Sequence, residues 1–311
     1  MKEHKTSIGG QALIEGVMMR GPEKCVMAVR NSSGEILTEE VPVRSLINKK
    51  WYQKAPIIRG VFAFIENMIN GYKCLMRSTE LSGLTDDLEA ESKFEKWLDK
   101  HFGEKITSLI GVLSLILGLA FSLLLFIVLP TGITKLLSLG FSLTPLLKTV
   151  IESLIKIIIF VLYLYLTSLM SDMKRVYGYH GAEHKTIFCY EKGLELTTEN
   201  IKKMSRFHPR CGTSFIIISI LVSIFVMCFV PTWDMVYRVL IKILLLPLIV
   251  GISYEFIKIA GRYDNFLTRA ISFPGVLLQH ITTKEPDEKM IECAVLALNA
   301  VRTDNPEDDR W

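Results

Sequence analysis

The chain reads as a polytopic α-helical membrane protein, with four transmembrane helices, a small cytoplasmic N-terminal β-hairpin region and amphipathic helices. Three observations predict this class. Half of the 311 residues are hydrophobic (50%) and the mean hydropathy is +0.34. The apolar residues collect in separate runs, each long enough to cross a hydrocarbon layer ~30 Å thick as a helix. The basic residues gather in one connection between runs, where a cytoplasmic loop carries them.

The N-terminal region, residues 1–50, reads as β structure. Val26 to Arg30 and Glu35 to Thr38 flank the turn-forming Asn31-Ser32-Ser33-Gly34, the pattern of a hairpin. Ahead of it, Gly9 to Pro22 is rich in Gly and Met and has Glu15 and Arg20 as its charges; no G-x-x-x-x-G-K is present, so a buried, bent strand is the reading and the charged pair has no assigned role. Residues 51–105 follow as an amphipathic, interfacial region. Ile58, Phe62, Ile65, Ile69, Tyr72 and Met76 share a side of a helix over Pro56 to Glu80 that is too charged to span, and that side is expected on the membrane face or against the spans. Thr85 to Glu104 reads as a charged, solvated helical lead-in.

Residues 106–262 form the transmembrane domain. Ile106 to Leu129 has no charge. Leu146 to Met170 holds Lys148, Glu152 and Lys156 in its first turns, where long side chains snorkel to the interface. Gly212 to Val230 and Val236 to Ile259 complete the set. The loop 171–211 holds Lys174, Arg175, Lys185, Lys192, Lys202, Lys203, Arg206 and Arg210 and is therefore cytoplasmic. With short connections around Lys135 and Arg238, an even number of crossings puts both termini in the cytoplasm of a multi-pass cell-membrane protein. Met1 to Arg30 lacks the charged head and apolar core of a signal peptide. Six cysteines in no regular spacing, five of them in cytosolic segments, predict reduced thiols, with Cys228 a buried small hydrophobe. The net charge of +4 follows from topology and implies no nucleic acid.

Residues 263–311 read as a cytoplasmic C-terminal helix and acidic tail. Phe273-Pro274-Gly275 makes a break, a helix runs from about Pro286 to Val301 with Ile291, Val295 and Leu298 on one side, and Asp304 to Trp311 frays. No internal repeat is visible, which disfavours a transporter built of inverted halves.

Chemistry concentrates in His180-Gly181-Ala182-Glu183-His184. On a helix, positions i, i+3 and i+4 share a face, so two imidazoles can hold Zn²⁺ or another divalent ion while Glu183 stands beside it as general base: the H-x-x-E-H layout of inverted zinc peptidases. Gly178 and Gly181 argue the other way, each costing a helix about 1 kcal/mol. The further ligand candidates are His208 and Cys211, where the third span begins, and Glu255, a carboxylate within the fourth span whose competing partner is Lys258 at i+3. Asp172 and Asp264 are candidates to orient an imidazole or to cap helices. Four protein ligands would make a closed structural site, and three an open catalytic one.

Three motifs together resemble the bacterial YqhQ family of uncharacterised membrane proteins: Gly9-Gly10-Gln11-Ala12-Leu13-Ile14-Glu15-Gly16-Val17-Met18-Met19-Arg20-Gly21-Pro22, Tyr179-His180-Gly181-Ala182-Glu183-His184-Lys185, and His208-Pro209-Arg210-Cys211-Gly212-Thr213-Ser214-Phe215. The resemblance covers nearly the whole chain and implies a metal-dependent enzyme without an assigned reaction. The function expected is a membrane-embedded metal-dependent hydrolase, with peptidases among the candidates, acting on a peptide, lipid or small molecule at the cytoplasmic membrane boundary. The alternative is a non-catalytic scaffold or biogenesis factor for membrane proteins, with a structural metal or none. The partners expected are the lipid bilayer and either other membrane proteins or further copies of the chain.

Overall fold

A computed structural model of the chain describes residues 5–42, 54–83, 104–230, 234–263, 265–303 and 308–309. The charged lead-in before the first span falls outside them. The chain divides into two compact units: Met1–Leu84 with Leu164–Ser219 and Leu248–Trp311, and Thr85–Tyr163 with Ile220–Pro247.

The first unit is built on a four-stranded antiparallel meander, β1 (Gly9–Leu13), β2 (Gly16–Arg20), β3 (Cys25–Arg30) and β4 (Ile36–Glu40), in the order β1-β2-β3-β4. The expected hairpin is β3–β4, and the Gly- and Met-rich stretch supplies a second one, β1–β2. Gly16 takes the tight pairing with Val29, where a Cβ would lie 2.9 Å from the Val29 Cα. Both faces of the sheet are covered, which is why β2 and β3 read as continuous apolar runs instead of alternating. One face, with Val17, Met19, Val26 and Ala28, packs on Tyr179, Ala182, Ile291, Ala294 and Leu298. The other, with Leu13, Met18, Met27 and Val29, meets Cys74.

Helix α1 (Ile58–Ser82) is the expected amphipathic helix. It buries small residues, Gly60, Ala63, Gly71, Cys74, Ser78 and Ser82, together with Glu66, which Arg20 meets at 2.9 Å. Its large apolar side chains Ile58, Ile65, Met68, Ile69, Tyr72 and Met76 stay exposed, so that stripe does not serve the core. Small residues let a helix approach sheet and helix backbones closely, and the large ones are left for another apolar medium.

The next helices are α2 (Glu104–Leu123), a π-helical turn at Leu124–Val128, α3 (Leu129–Gly140) and α4 (Pro145–Thr167). Then come α5 (Ser171–Glu191), a short α6 (Thr198–Lys202), α7 (Gly212–Cys228), α8 (Met235–Arg262), α9 (Phe266–Thr282) and α10 (Glu288–Val301). Among the described residues three helical stretches are long and apolar enough to cross a membrane: Ile116–Gly140, Pro145–Thr167 and Met235–Ala260. The first lies farther along the chain than the uncharged run suggested, because the helix continues through Pro130 and Lys135 and turns only at Phe141–Thr144. The apolar helix α7 has 17 residues, about 25 Å of rise, less than the hydrocarbon layer requires. A fourth crossing, and the cytoplasmic termini that an even count gives, therefore do not follow from helix length.

Three local expectations are corrected. Pro274 and Gly275 do not break the chain; α9 runs through them, held at its start by a capping box between Asn265 and Thr268. Cys228 is exposed, not buried. Asp309 in the acidic tail is fully buried, accepting from the Tyr190 hydroxyl at 2.6 Å and, through its carbonyl, from Ser7 N at 2.5 Å.

Candidate metal centre

Helix α5 sets the centre. Asp172 sits in its first turn, where an acid suits the helix dipole, and Gly193, at φ 65°, takes the left-handed turn just beyond its end. Between them the helical period puts His180, Glu183 and His184 on one side. Cys211 comes from the turn ahead of α7. Gln279 of α9, fully buried, clamps that turn by accepting from His208 N at 2.7 Å and donating to His208 O at 2.8 Å. One ligand atom each from His180, His184 and Cys211 lies within 4.8 Å of the others, and His180 Nε2 is 3.2 Å from Cys211 Sγ. A tetrahedral ion with Zn–N of ~2.0–2.1 Å and Zn–S of ~2.3 Å needs edges of about 3.5 Å, so this donor set fits such an ion with small shifts.

The imidazoles are oriented for the task. His180 Nδ1 lies 2.9 Å from Thr282 O and His184 Nδ1 lies 2.5 Å from Arg206 O. A carbonyl only accepts, so both Nδ1 atoms carry the proton and each Nε2 keeps its lone pair for the centre. Backbone carbonyls thus do what Asp172 and Asp264 were candidates for; Asp172 is exposed and accepts from the Ser171 hydroxyl, and Asp264 lies outside the described residues. The glycine that counted against the motif is what permits the carbonyl contact. A Cβ on Gly181 would collide with Lys284 O, so glycine lets the segment that leaves α9 run against α5, where Lys284 N donates to Tyr177 O at 2.8 Å. Gly10 plays the same part from β1. Its N–H donates to Glu183 Oε1 at 3.1 Å, and a Cβ there would lie 2.9 Å from the Glu183 Cγ.

Charge follows from this packing. Burial alone would raise the Cys211 thiol, but His180 and His184 beside it bring it well below its ordinary value. Thr213 adds its N–H at 3.4 Å and its hydroxyl at 3.3 Å to the sulfur. Burial would lower His180, yet the neighbouring Cys211 sulfur pushes it up to about 9. Burial raises Glu183, and the two imidazoles only partly offset it. The buried group thus sets an acidified thiol against two imidazoles, with a carboxyl of raised pKa beside them. It opens on a cavity of about 330 Å³ lined also by Gly9, Gly10, Gln11 and Ala12 of β1.

The structure does not bring every candidate to this cluster. The His208 ring is 5.5 Å from that of His184 between centroids, but its nitrogens face elsewhere: Nδ1 accepts from Arg210 N at 3.3 Å, and Nε2 is 3.9 Å from Glu191. Burial lowers its pKa to about 4, so the ring is neutral. Glu255 is held by Arg59, through Nε at 2.7 Å and a second bond from Nη2, and by Ile57 N at 3.3 Å. Neither the cluster nor Lys258 is its hydrogen-bond partner. Glu15, by contrast, gains a role: its carboxylate takes Arg175 and the Tyr179 hydroxyl at 3.2 Å, fixing the β1–β2 turn to α5. The sequence reading missed Arg59, the two carbonyls and the arrival of β1; Gly181 and Gly10 were the available signal, since each marks a close backbone approach.

Comparison with known proteins agrees with the resemblance carried by the motifs. The family described as protein of unknown function (DUF1385) matches residues 55–304. The chain is 37% identical over 306 residues to "Uncharacterized protein YqhQ" of Bacillus subtilis (strain 168), covering 96% of this chain and 94% of that one. No solved structure matches. Neither description names a metal or a reaction, so the metal-dependent label gains nothing from them. On the extent of both matches, the chain belongs to the DUF1385 family.

Proposed function

We propose that this chain is a metal-dependent hydrolase set beside membrane helices, with His180, His184 and Cys211 as ligands of a zinc-like divalent ion and Glu183 as the general base. The observation that carries the reading is the pair of Nδ1-to-carbonyl bonds, which aims both Nε2 atoms at the Cys211 sulfur and the cavity. Three ligands leave a tetrahedral ion one open position, the arrangement of catalytic sites. When bound, the ion supplies a Lewis acid that lowers the pKa of a water in the cavity to about 7. Glu183, held by Gly10 N–H, would take a proton from a water adding to a carbonyl carbon and return it to the leaving group as the scissile bond breaks. The outward apolar stripe of α1 and the apolar helices support a bilayer setting. Counting α7 as a crossing gives four spans, a cytoplasmic centre and cytoplasmic termini.

The test is metal content in the purified, detergent-solubilised protein. Stoichiometric zinc is expected, retained in Glu183→Gln and lost in Cys211→Ala. In metal-stripped protein the Cys211 thiolate should react with iodoacetamide at neutral pH, and added zinc should protect it. Absence of metal binding by the unaltered protein ends the reading.

A further inference from the structure

The outer edge of β1, open at Ala12, runs into the same cavity as the cluster. In an antiparallel pair, alternate residues turn both N–H and C=O toward the neighbouring strand and the rest turn both away. Gly10 N donates to Glu183, and Ile14 N donates to Ser78 Oγ at 3.3 Å. Even positions of β1 therefore face away from β2, and Ala12 stands between those two with its N–H unpaired among the described residues. β1 is also the terminal strand of the sheet. On its other side lies a second cavity of about 610 Å³ that shares Gly9, Gly10 and Gln11 with the first and extends along α1 to Asn67 and Asn70. There the Asn70 Nδ2 is buried and has no hydrogen-bond partner among the described residues. A buried amide left unpaired costs about 1–3 kcal/mol, so a water, an ion or a ligand acceptor is expected to satisfy it.

A strand edge with an open donor, a buried carboxamide seeking an acceptor, and a hydrolytic cluster, set in two cavities that meet at Gly9, Gly10 and Gln11, share a single demand. They suit a ligand with alternating main-chain donors and acceptors at strand spacing. We infer that the ligand is an extended polypeptide segment that adds to the free edge of β1 by main-chain pairing and presents one of its carbonyls to the His180–Cys211 cluster. This rests on the hydrolase reading for its chemistry. Water adds to the carbonyl carbon, the C–N bond breaks, and the proton taken by Glu183 goes to the departing amine nitrogen.

The experiment uses full-length Glu183→Gln protein in detergent, with and without zinc, and a fluorescein-labelled pool of random octapeptides followed by anisotropy. Two further pools carry N-methyl groups on every second residue or on every residue. One free edge is enough for strand addition, so the alternately methylated pool should bind within about threefold of the parent, and the fully methylated pool at least tenfold more weakly. Ala12→Pro, which deletes the outward N–H at a position where an edge strand tolerates proline, and Asn70→Ala should each weaken the parent pool several-fold while zinc content stays unchanged. Failure of the parent pool to bind zinc-loaded protein, or equal binding of all three pools, overturns the inference and leaves the metal reading standing. Edge-dependent binding by a protein that takes up no zinc supports the docking edge and removes the hydrolase.

Discussion

Two buried polar clusters, one in each unit, show how ionisable groups away from water can serve different ends. In the second unit, Glu152 of α4 is met by Arg238 Nε at 3.0 Å, by Lys242 Nζ and by the Thr131 hydroxyl at 2.7 Å, while Arg238 also reaches Thr149 at 3.2 Å. Every one of these groups is spent on another. Charges within apolar spans are costly, and mutual pairing is how helices carry them. In the first unit, His180, His184 and Cys211 have their outer hydrogen bonds satisfied and turn their remaining lone pairs toward one another and a cavity. Both clusters are buried and contain opposite charges. The difference lies in unspent donor capacity facing open space, and it separates a staple from a site.

The sharpest way to break the comparison is Glu152→Ala. Stranding Arg238 and Lys242 is expected to cost about 3–5 kcal/mol and to appear as loss of folded protein in detergent, whereas replacing Glu152, Arg238 and Lys242 together with Leu or Met should be near neutral. If the single change is harmless, the staple reading fails. Cys211→Ala should act in the opposite sense: zinc affinity falls more than about 100-fold, since even outer-shell partners are worth 10–100-fold. The metal-free melting temperature should shift by a few degrees at most, as expected for about 1 kcal/mol in a chain of this size.

A third prediction concerns pH. The folded pKa of His208, about 4, lies below the ordinary 6.5, so its proton is taken up preferentially by the unfolded chain. Stability is then unaffected above about pH 6.5 and is lost as pH falls from there to about 4, at about 1.4 kcal/mol per unit. Glu191, lowered by its His208 and Arg210 partners against the effect of burial, adds loss in the same direction at lower pH. His208→Gln should flatten the slope between those limits in thermal melts taken at stepped pH; an unchanged slope would return His208 to the metal centre. The smallest effect is expected of Glu255→Gln, which should leave zinc affinity within threefold, because its oxygens serve Arg59 and Ile57.

Much of the fold was legible because it follows from local periodicity. The apolar runs, the β3–β4 hairpin around Asn31 to Gly34, the long α1 and the α10 start capped by Asp287 all follow from spacing and turn chemistry. The misreadings share one cause. Pro274 looked like a stop and Glu152 like a snorkelling residue, because each judgement used sequence neighbours, whereas α9 runs on through Pro274 and Glu152 meets Arg238 far along the chain. Glu152 is 86 residues from Arg238, and Glu255 is 196 from Arg59.

The linear order of residues settled membership in a helical membrane class and the proximity of His180, Glu183 and His184, since 3.6 residues per turn fixes which side chains share a face. Folding alone chose the third partner. Cys211 joins the imidazoles and Glu255 does not, because close contacts at Gly181 and Gly10, together with the Gln279 clamp, direct where segments far apart in the chain meet, and no local rule encodes those distances.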